Sequence, residues 1–180
     1  MEHFYENLDG WFDYQDIYRR MVEQAPDTAS FVEVGSYMGR SAAFMAVEIA
    51  NSHKRIAFTC VDIWTTHHVY ANNSFERFTK NMEPASGHYE AVVGYSMDVA
   101  PRFADRSLDF VWIDADHAYL AVCNDIRTWL PKVKPGGWIG GHDYEVSDGG
   151  AGQAVRDMIG TVELVPGTLN GNSSWMHRVA

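Results

Sequence analysis

Apolar positions between Tyr14 and Gln24 (YQDIYRRMVEQ) recur at helical spacing and predict a leading helix, stopped by Pro26-Asp27-Thr28. The pattern then switches to a short β-branched run, Phe31-Val32-Glu33-Val34, which halts at Gly35 and predicts a first strand. Gly39 to Ala50 returns to the helical period, and Ala57 to Ile63 reads as a second strand with Asp62 at its end. The alternation continues through a helix over Phe75 to Met82, a strand over Tyr89 to Val93 and a helical turn around Val99 to Phe103. A fourth strand, Leu108 to Ile113, leads into a helix over Ala118 to Leu130, which Pro131 and Pro135 close. Gly137 to Gly141 forms a glycine-rich fifth strand and Ala151 to Ile159 a last helix. Thr161–Val165 and Ser174–Val179 read as two closing strands, with Gly167 through Asn172 as their turn.

Strands alternating with helices imply a parallel sheet covered on both faces. The expected fold is therefore a doubly wound, mostly parallel, seven-stranded α/β sheet with an antiparallel finish. No repeat or linker interrupts it, so residues 1–180 read as one domain, with the helix of residues 1–29 packing near the site. In such a sheet, function belongs at the carboxyl ends of the strands.

Composition narrows this picture. The 180 residues are 46% hydrophobic and 21% charged, ordinary for a globular protein. Net charge is −10, from 14 basic and 24 acidic residues, which repels a phosphate backbone and argues against a nucleic-acid partner. The two cysteines, Cys60 and Cys123, sit in apolar periodic segments without a CxxC, which points to buried thiols in a reducing compartment. No apolar run is long enough for a membrane span, and the N-terminus lacks the basic start and apolar core of a signal peptide. A cytoplasmic location is expected.

The first loop carries the first chemistry. Glu33-Val34-Gly35-Ser36-Tyr37-Met38-Gly39-Arg40-Ser41 spaces its glycines as GxxxG, not as the GxGxxG that cradles a pyrophosphate. That spacing makes a nicotinamide-dependent dehydrogenase the least favoured class. An acidic Glu33 before the loop is a poor neighbour for phosphate and a good one for a cation. Asp62, at the end of the second strand, can accept hydrogen bonds from both ribose hydroxyls. Together these features point to an adenosine-type ligand that carries positive charge.

The same residues resemble the first two motifs of class I S-adenosylmethionine-dependent methyltransferases. Ile113-Asp114-Ala115-Asp116-His117-Ala118-Tyr119, then Asp125, Trp129, Lys134-Pro135-Gly136-Gly137 and Gly141-His142-Asp143-Tyr144, resemble one branch of that superfamily. It includes macrocin-type sugar O-methyltransferases and proteins labelled cephalosporin hydroxylase. The resemblance spans about residues 30–160. It implies that Glu33, Gly35, Ser36, Gly39 and Ser41 surround the methionine part of S-adenosyl-L-methionine. Asp62 would hold the ribose, with Ile63 and Trp64 against the adenine and Ser96 near its edge. Trp11 matches loosely as a residue closing over the cofactor, against its reading as a staple for the first helix.

Asp114 and Asp143 are expected to end neighbouring strands, beside His117 and His142. The resemblance implies Asp114, His142 and Asp143 as ligands of a divalent metal, magnesium or manganese. Such an ion holds a substrate hydroxyl and lowers its pKa. It also implies His117 as general base, a role that suits an imidazole titrating near neutrality. His142 departs from the family's acidic or amide residue. Magnesium prefers oxygen ligands, so either the metal is another one, or His142 is no ligand, or no metal binds. Asp114 and Asp116 have a second reading as caps of the following helix. His67-His68, in the long polar loop after the second strand, reads either as part of an acceptor lid or as solvated loop. Trp112, Trp129, Phe44 and Phe110 fit core positions.

The leading reading is an O-methyltransferase acting on a small hydroxylated molecule. Acceptor recognition falls to the loops, the N-terminal helix or another subunit, which suggests a homo-oligomer. Two other classes stand beside it. A non-heme oxygenase would use His117, His142 and an aspartate, and a non-catalytic cofactor-binding module would be indifferent to loss of His117.

Overall fold

A computed structural model describes residues 1–64, 73–145, 150–168 and 173–180. Its centre is a sheet of seven strands in the order β3-β2-β1-β4-β5-β7-β6. These are β1 (Thr28–Val34), β2 (Arg55–Asp62), β3 (Glu90–Val93), β4 (Leu108–Ile113), β5 (Val133–Gly141), β6 (Glu163–Pro166) and β7 (Ser173–Arg178). β1 to β5 pair in parallel and β7 runs antiparallel to both β5 and β6. The doubly wound sheet with its antiparallel finish is the one that the alternation of periods predicts.

Helices cover both faces because the strands are apolar on both. On one side α1 (Gln15–Gln24), α2 (Arg40–Ser52) and α3 (Ser74–Met82) close over Phe31, Phe58, Phe110 and Trp112. On the other, α4 (Ser96–Val99), α5 (Tyr119–Trp129) and α6 (Ala151–Met158) bury Val32, Val34, Val111, Ile113 and Ile139. Phe44, Phe110, Trp112 and Trp129 are core residues, and both cysteines are buried and unpaired with each other. Among the described residues no helix is long and apolar enough to cross a membrane.

Three strands, β1, β2 and β5, start two or more residues earlier than the apolar pattern indicates. β1 begins at Thr28 because the small residues Thr28, Ala29 and Ser30 pair with Arg55, Ile56 and Ala57 of β2. β5 begins at Val133, with a register shift against β4 between Leu108 and Phe110 that accommodates Pro135 and Gly136. The chain reverses direction across the sheet between β1 and β4. The crevice at their carboxyl ends is where such sheets hold ligands.

Candidate active site

A cavity of about 1340 Å³ opens at that crevice. Its walls are the β1–α2 loop, the end of β2, the segment after β3, the β4–α5 loop and the end of β5. Gly35 makes the first wall possible. Its φ is +93°, and a Cβ there would lie 2.1 Å from the Asp114 carbonyl oxygen. Only glycine lets β1 and β4 approach so closely in that conformation. Gly39, at φ +89°, caps α2 against Met82 and Phe78.

Asp62 ends β2 in a cradle built from strained backbone. The Tyr37 amide donates to Asp62 Oδ2 and the Trp64 amide to Oδ1, each at 2.8 Å. Tyr37 and Trp64 both lie in the left-handed region, at φ 45° and 39°. That costs free energy at bulky residues and recurs at functional sites. The Trp64 indole N–H donates to the Tyr37 carbonyl at 2.6 Å, which ties the two loops together. Burial pushes the Asp62 carboxyl up, against the pull of the surrounding amides.

Ser36, Ser41, Asp62, Ile63, Trp64, Ser96, Asp114, His117, His142 and Asp143 all line the cavity, as Gly35 does. Glu33 and Gly39 stand behind the wall. Glu33 is 1% exposed, accepting from the Tyr18 hydroxyl at 2.7 Å and from Ser36 Oγ at 2.6 Å. It points toward the α1 face because it alternates with Val32 and Val34, which face the other side. Its reach into the cavity is therefore through Ser36.

Burial pushes the Glu33 carboxyl from its ordinary 4.5 up to about 7, although Ser36 and Tyr18 pull it down. The folded chain then holds this proton more tightly than the unfolded chain. The stability it contributes is complete below pH 4.5 and is lost as the pH rises through about 7. The loss is on the order of 3 kcal/mol. Urea unfolding of wild type and Glu33→Gln at pH 4.5 and pH 8 is expected to show wild type losing the larger share of stability. Equal losses would sink this assignment.

Four titratable side chains form a line at the mouth. Asp13 Oδ1 lies 2.9 Å from His142 Nε2, His142 Nδ1 lies 3.3 Å from Asp143 Oδ2, and that oxygen lies 3.2 Å from His117 Nε2. Burial alone would lower the His142 pKa. The Asp143 hydrogen bond and the charges of Asp114, Asp143 and Asp13 overcome it and raise the group to about 9. Burial opposes ionisation of Asp143 as well, yet the two imidazoles hold its carboxyl below its usual value. Asp143 has a left-handed φ of 59°.

Ligand atoms of Asp114, His117 and Asp143 lie within 4.8 Å of one another, a spacing that a metal ion can bridge. His142 does not join that group. Its Nε2 lies against Asp13 and its Nδ1 against Asp143. Asp116 Oδ1 accepts from the Ala118 amide at 2.9 Å, a turn closed two residues on, just before α5, whose own N-cap is Ala118. Trp11 is 74% exposed at the cavity rim, its ring 6.3 Å from that of Tyr37. His67-His68 lie outside the described residues.

The N-terminal segment contributes more than the helical pattern indicates. The Tyr14 hydroxyl donates to Asp114 Oδ2 at 2.7 Å, and Asp13 and Tyr18 hold His142 and Glu33. Burial, with the nearby Asp114 and Glu33 charges, raises the pKa of both tyrosines, so each keeps its proton to donate. Arg40 donates to the carbonyls of Leu8 and Gly10 and fixes the strap that carries Trp11. Tyr14 and Tyr18 share one helix face, and that spacing alone reads as core.

Comparison with known proteins bears on this geometry. A family model described as a methyltransferase domain matches residues 32–144. No curated protein matches the sequence. Among solved structures, the O-methyltransferase NovP aligns with a TM-score of 0.71 and 18% identity, over 92% of this chain and 79% of NovP. Cofactor-bound Rv0187 from MTB aligns at 0.70 and 19%, over 94% and 81%. CalS11, the TDP-rhamnose 3'-O-methyltransferase of calicheamicin biosynthesis, aligns at 0.66 and 14%, over 89% and 76%. At these identities the structures establish the shared fold. With the family match over most of its sheet, the chain belongs to the methyltransferase-domain family and is an S-adenosylmethionine-dependent methyltransferase.

Proposed function

We propose that this enzyme methylates a hydroxyl group of a small acceptor, with His117 as general base, in the manner of the macrocin-type branch. The observation that carries the reading is the His117–Asp143 pair, 3.2 Å apart, beside Asp114 at the mouth of the cavity. The cavity suits the cofactor, since Gly35 lets the β1–α2 loop close against the end of β4 and the Asp62 carboxylate lines the wall at the end of β2.

S-adenosylmethionine supplies an electrophilic methyl group on a sulfonium. Asp62 accepts from the ribose hydroxyls, Ser36 and Ser41 bind the methionine end, and Ile63 and Trp64 flank the adenine. Asp143 accepts a hydrogen bond from His117 Nε2–H and so selects the tautomer whose Nδ1 lone pair takes a proton. As the acceptor oxygen bonds to the methyl carbon and the carbon–sulfur bond breaks, the hydroxyl proton passes to His117. The products are a methyl ether and S-adenosylhomocysteine. Most of the rate comes from holding oxygen, methyl and sulfur in line, and the base adds a factor of roughly 10² or more.

A metal-assisted variant is the second reading, favoured by the closeness of Asp114, His117 and Asp143. Two carboxylates and an imidazole suit manganese better than magnesium. Such an ion would bind the acceptor oxygen and lower its pKa, with His142 as a counter-ion behind Asp143. In both readings residues 1–180 act as one cytoplasmic domain, within a homo-oligomer and without a nucleic-acid or membrane partner.

Calorimetry with S-adenosylmethionine, with and without a chelator, is the test. Binding is expected in both, and its absence at millimolar ligand would overturn the reading. His117→Ala is expected to bind the cofactor as wild type does. It should release S-adenosylhomocysteine roughly 100-fold more slowly or worse across a panel of hydroxylated acceptors. Unchanged turnover would leave a module that does not need this base. Activity lost to the chelator and restored by manganese selects the metal-assisted form.

A further inference from the structure

We propose that Asp13, which lies behind the cavity wall, is a positioning residue for His117 and acts on it through His142 and Asp143. This rests on the base reading above and adds to it a residue of the strap before α1. The Asp13 side chain is 2% exposed and is not among the residues that line the cavity, so it does not meet a substrate. Both of its oxygens are engaged. Oδ1 accepts from His142 Nε2 at 2.9 Å, and Oδ2 accepts from the Thr168 amide at 2.7 Å. Its chain neighbours hold the backbone on either side. Phe12 and Tyr14 are buried in the core, and the Tyr14 hydroxyl is tied to Asp114. Asp13 is therefore a fixed point.

His117 needs such a point. Its side chain is 42% exposed on the β4–α5 loop, and among the described residues the carboxylate it meets is Asp143, 3.2 Å from Nε2. An imidazole held at one atom can turn about that contact, whereas proton transfer needs its Nδ1 aimed at the acceptor oxygen. Its aim is then as firm as the Asp143 carboxylate. Asp143 has a left-handed φ of 59°, a conformation that persists only where the surroundings impose it. The oxygen that meets His117 also lies 3.3 Å from His142 Nδ1. His142 is 6% exposed, with the Tyr14 ring 5.2 Å from its own. Its imidazole is rigid, so pinning Nε2 on Asp13 fixes where Nδ1 stands, and Nδ1 in turn steadies Asp143. Without Asp13 the ring keeps a buried nitrogen unpaired and is free to pivot about its Cβ–Cγ bond. That slack reaches His117 through Asp143. A misplacement of about 1 Å in such a chain costs up to about 100-fold in rate.

The test uses wild type, Asp13→Asn, Asp13→Ala, His142→Ala and the Asp13→Asn/His142→Ala double variant, each with S-adenosylhomocysteine. A carboxamide has one oxygen, which cannot serve both His142 and the Thr168 amide, so Asp13→Asn breaks one link at nearly unchanged shape. Asp13→Ala breaks both, and the Asn variant keeps the test decisive if the Ala variant does not fold. Calorimetry should give S-adenosylhomocysteine affinities within about twofold of wild type, because Asp13 is remote from the cofactor. Crystal structures of these complexes should show one His117 orientation in wild type and several in Asp13→Asn. On the panel of hydroxylated acceptors, Asp13→Asn should lower kcat about tenfold or more with acceptor KM unchanged. In the His142→Ala background the same substitution should cost nothing further. A residue that only supports the fold would lower cofactor affinity along with kcat, and its cost would add to that of His142→Ala. Either of those results, or a single wild-type orientation of His117 in Asp13→Asn, overturns the proposal. Where the panel yields no turnover, the orientation of His117 decides. Normal turnover of His117→Ala defeats the base reading, and this inference falls with it. A slow His117→Ala beside an unimpaired Asp13→Asn removes Asp13 alone.

Discussion

Gly35→Ala is expected to destabilise the protein by about 4 kcal/mol or more, the largest stability effect of any single methyl group added to the loop. Two costs combine. An alanine at φ +93° sits where side chains are rarely tolerated, which costs about 1 to 2 kcal/mol. The new Cβ would also meet the Asp114 carbonyl oxygen at 2.1 Å, its carbon at 2.5 Å and the Ala115 Cα at 2.7 Å. All of these are backbone atoms, so no rotamer change relieves the clash, and β1 and β4 must separate. That movement strains the Gly35 amide bond to the Val61 carbonyl and the Asp114 amide bond to the Val34 carbonyl, each now 2.8 Å. Urea unfolding followed by circular dichroism checks it. A variant as stable as wild type would mean that the loop is not built this way.

Asp62→Ala is expected to weaken S-adenosylhomocysteine binding by roughly 100- to 10 000-fold while the chain stays folded. Each hydrogen bond from a ribose hydroxyl to a charged acceptor is worth about 1.5 to 3 kcal/mol, and two are lost. A second effect adds to it. The carboxylate also gathers the Tyr37 and Trp64 amides, so its removal releases both left-handed residues from the conformation that shapes the wall. Calorimetry gives the affinity and thermal unfolding confirms the fold. A loss below about fivefold would move the ribose elsewhere and undo the site as described.

The candidate site was legible in the sequence wherever a residue's role follows from its position on an element. Gly35, Asp62, Asp114 and Asp143 each end a strand or begin the loop after it, and parallel strands bring such ends together. Glu33 was harder to place. Its place before the loop suggested contact with a cation, but strand alternation turns it to the α1 face, against Tyr18 and Ser36. His142 was ambiguous for another reason. A histidine beside an aspartate can be ligand, base or counter-ion, and its second carboxylate neighbour, Asp13, lies 129 positions away in the chain. Asp116 was decided locally, by the Ala118 amide two residues on.

The sequence by itself determined the order of strands and helices, the two-sided burial of the sheet and the family chemistry at the strand ends. All of these follow from periodicity and short motifs, which are local properties. Only the tertiary structure decided which side chains hold the site acids. Tyr14 meets Asp114 across 100 positions, Asp13 meets His142 across 129, and Tyr18 reaches Glu33 across the turn between α1 and β1. Those contacts depend on how α1 and the strap before it lie over the face of β1 and β4. That docking is set by packing across the sheet, and no pattern along the chain encodes it.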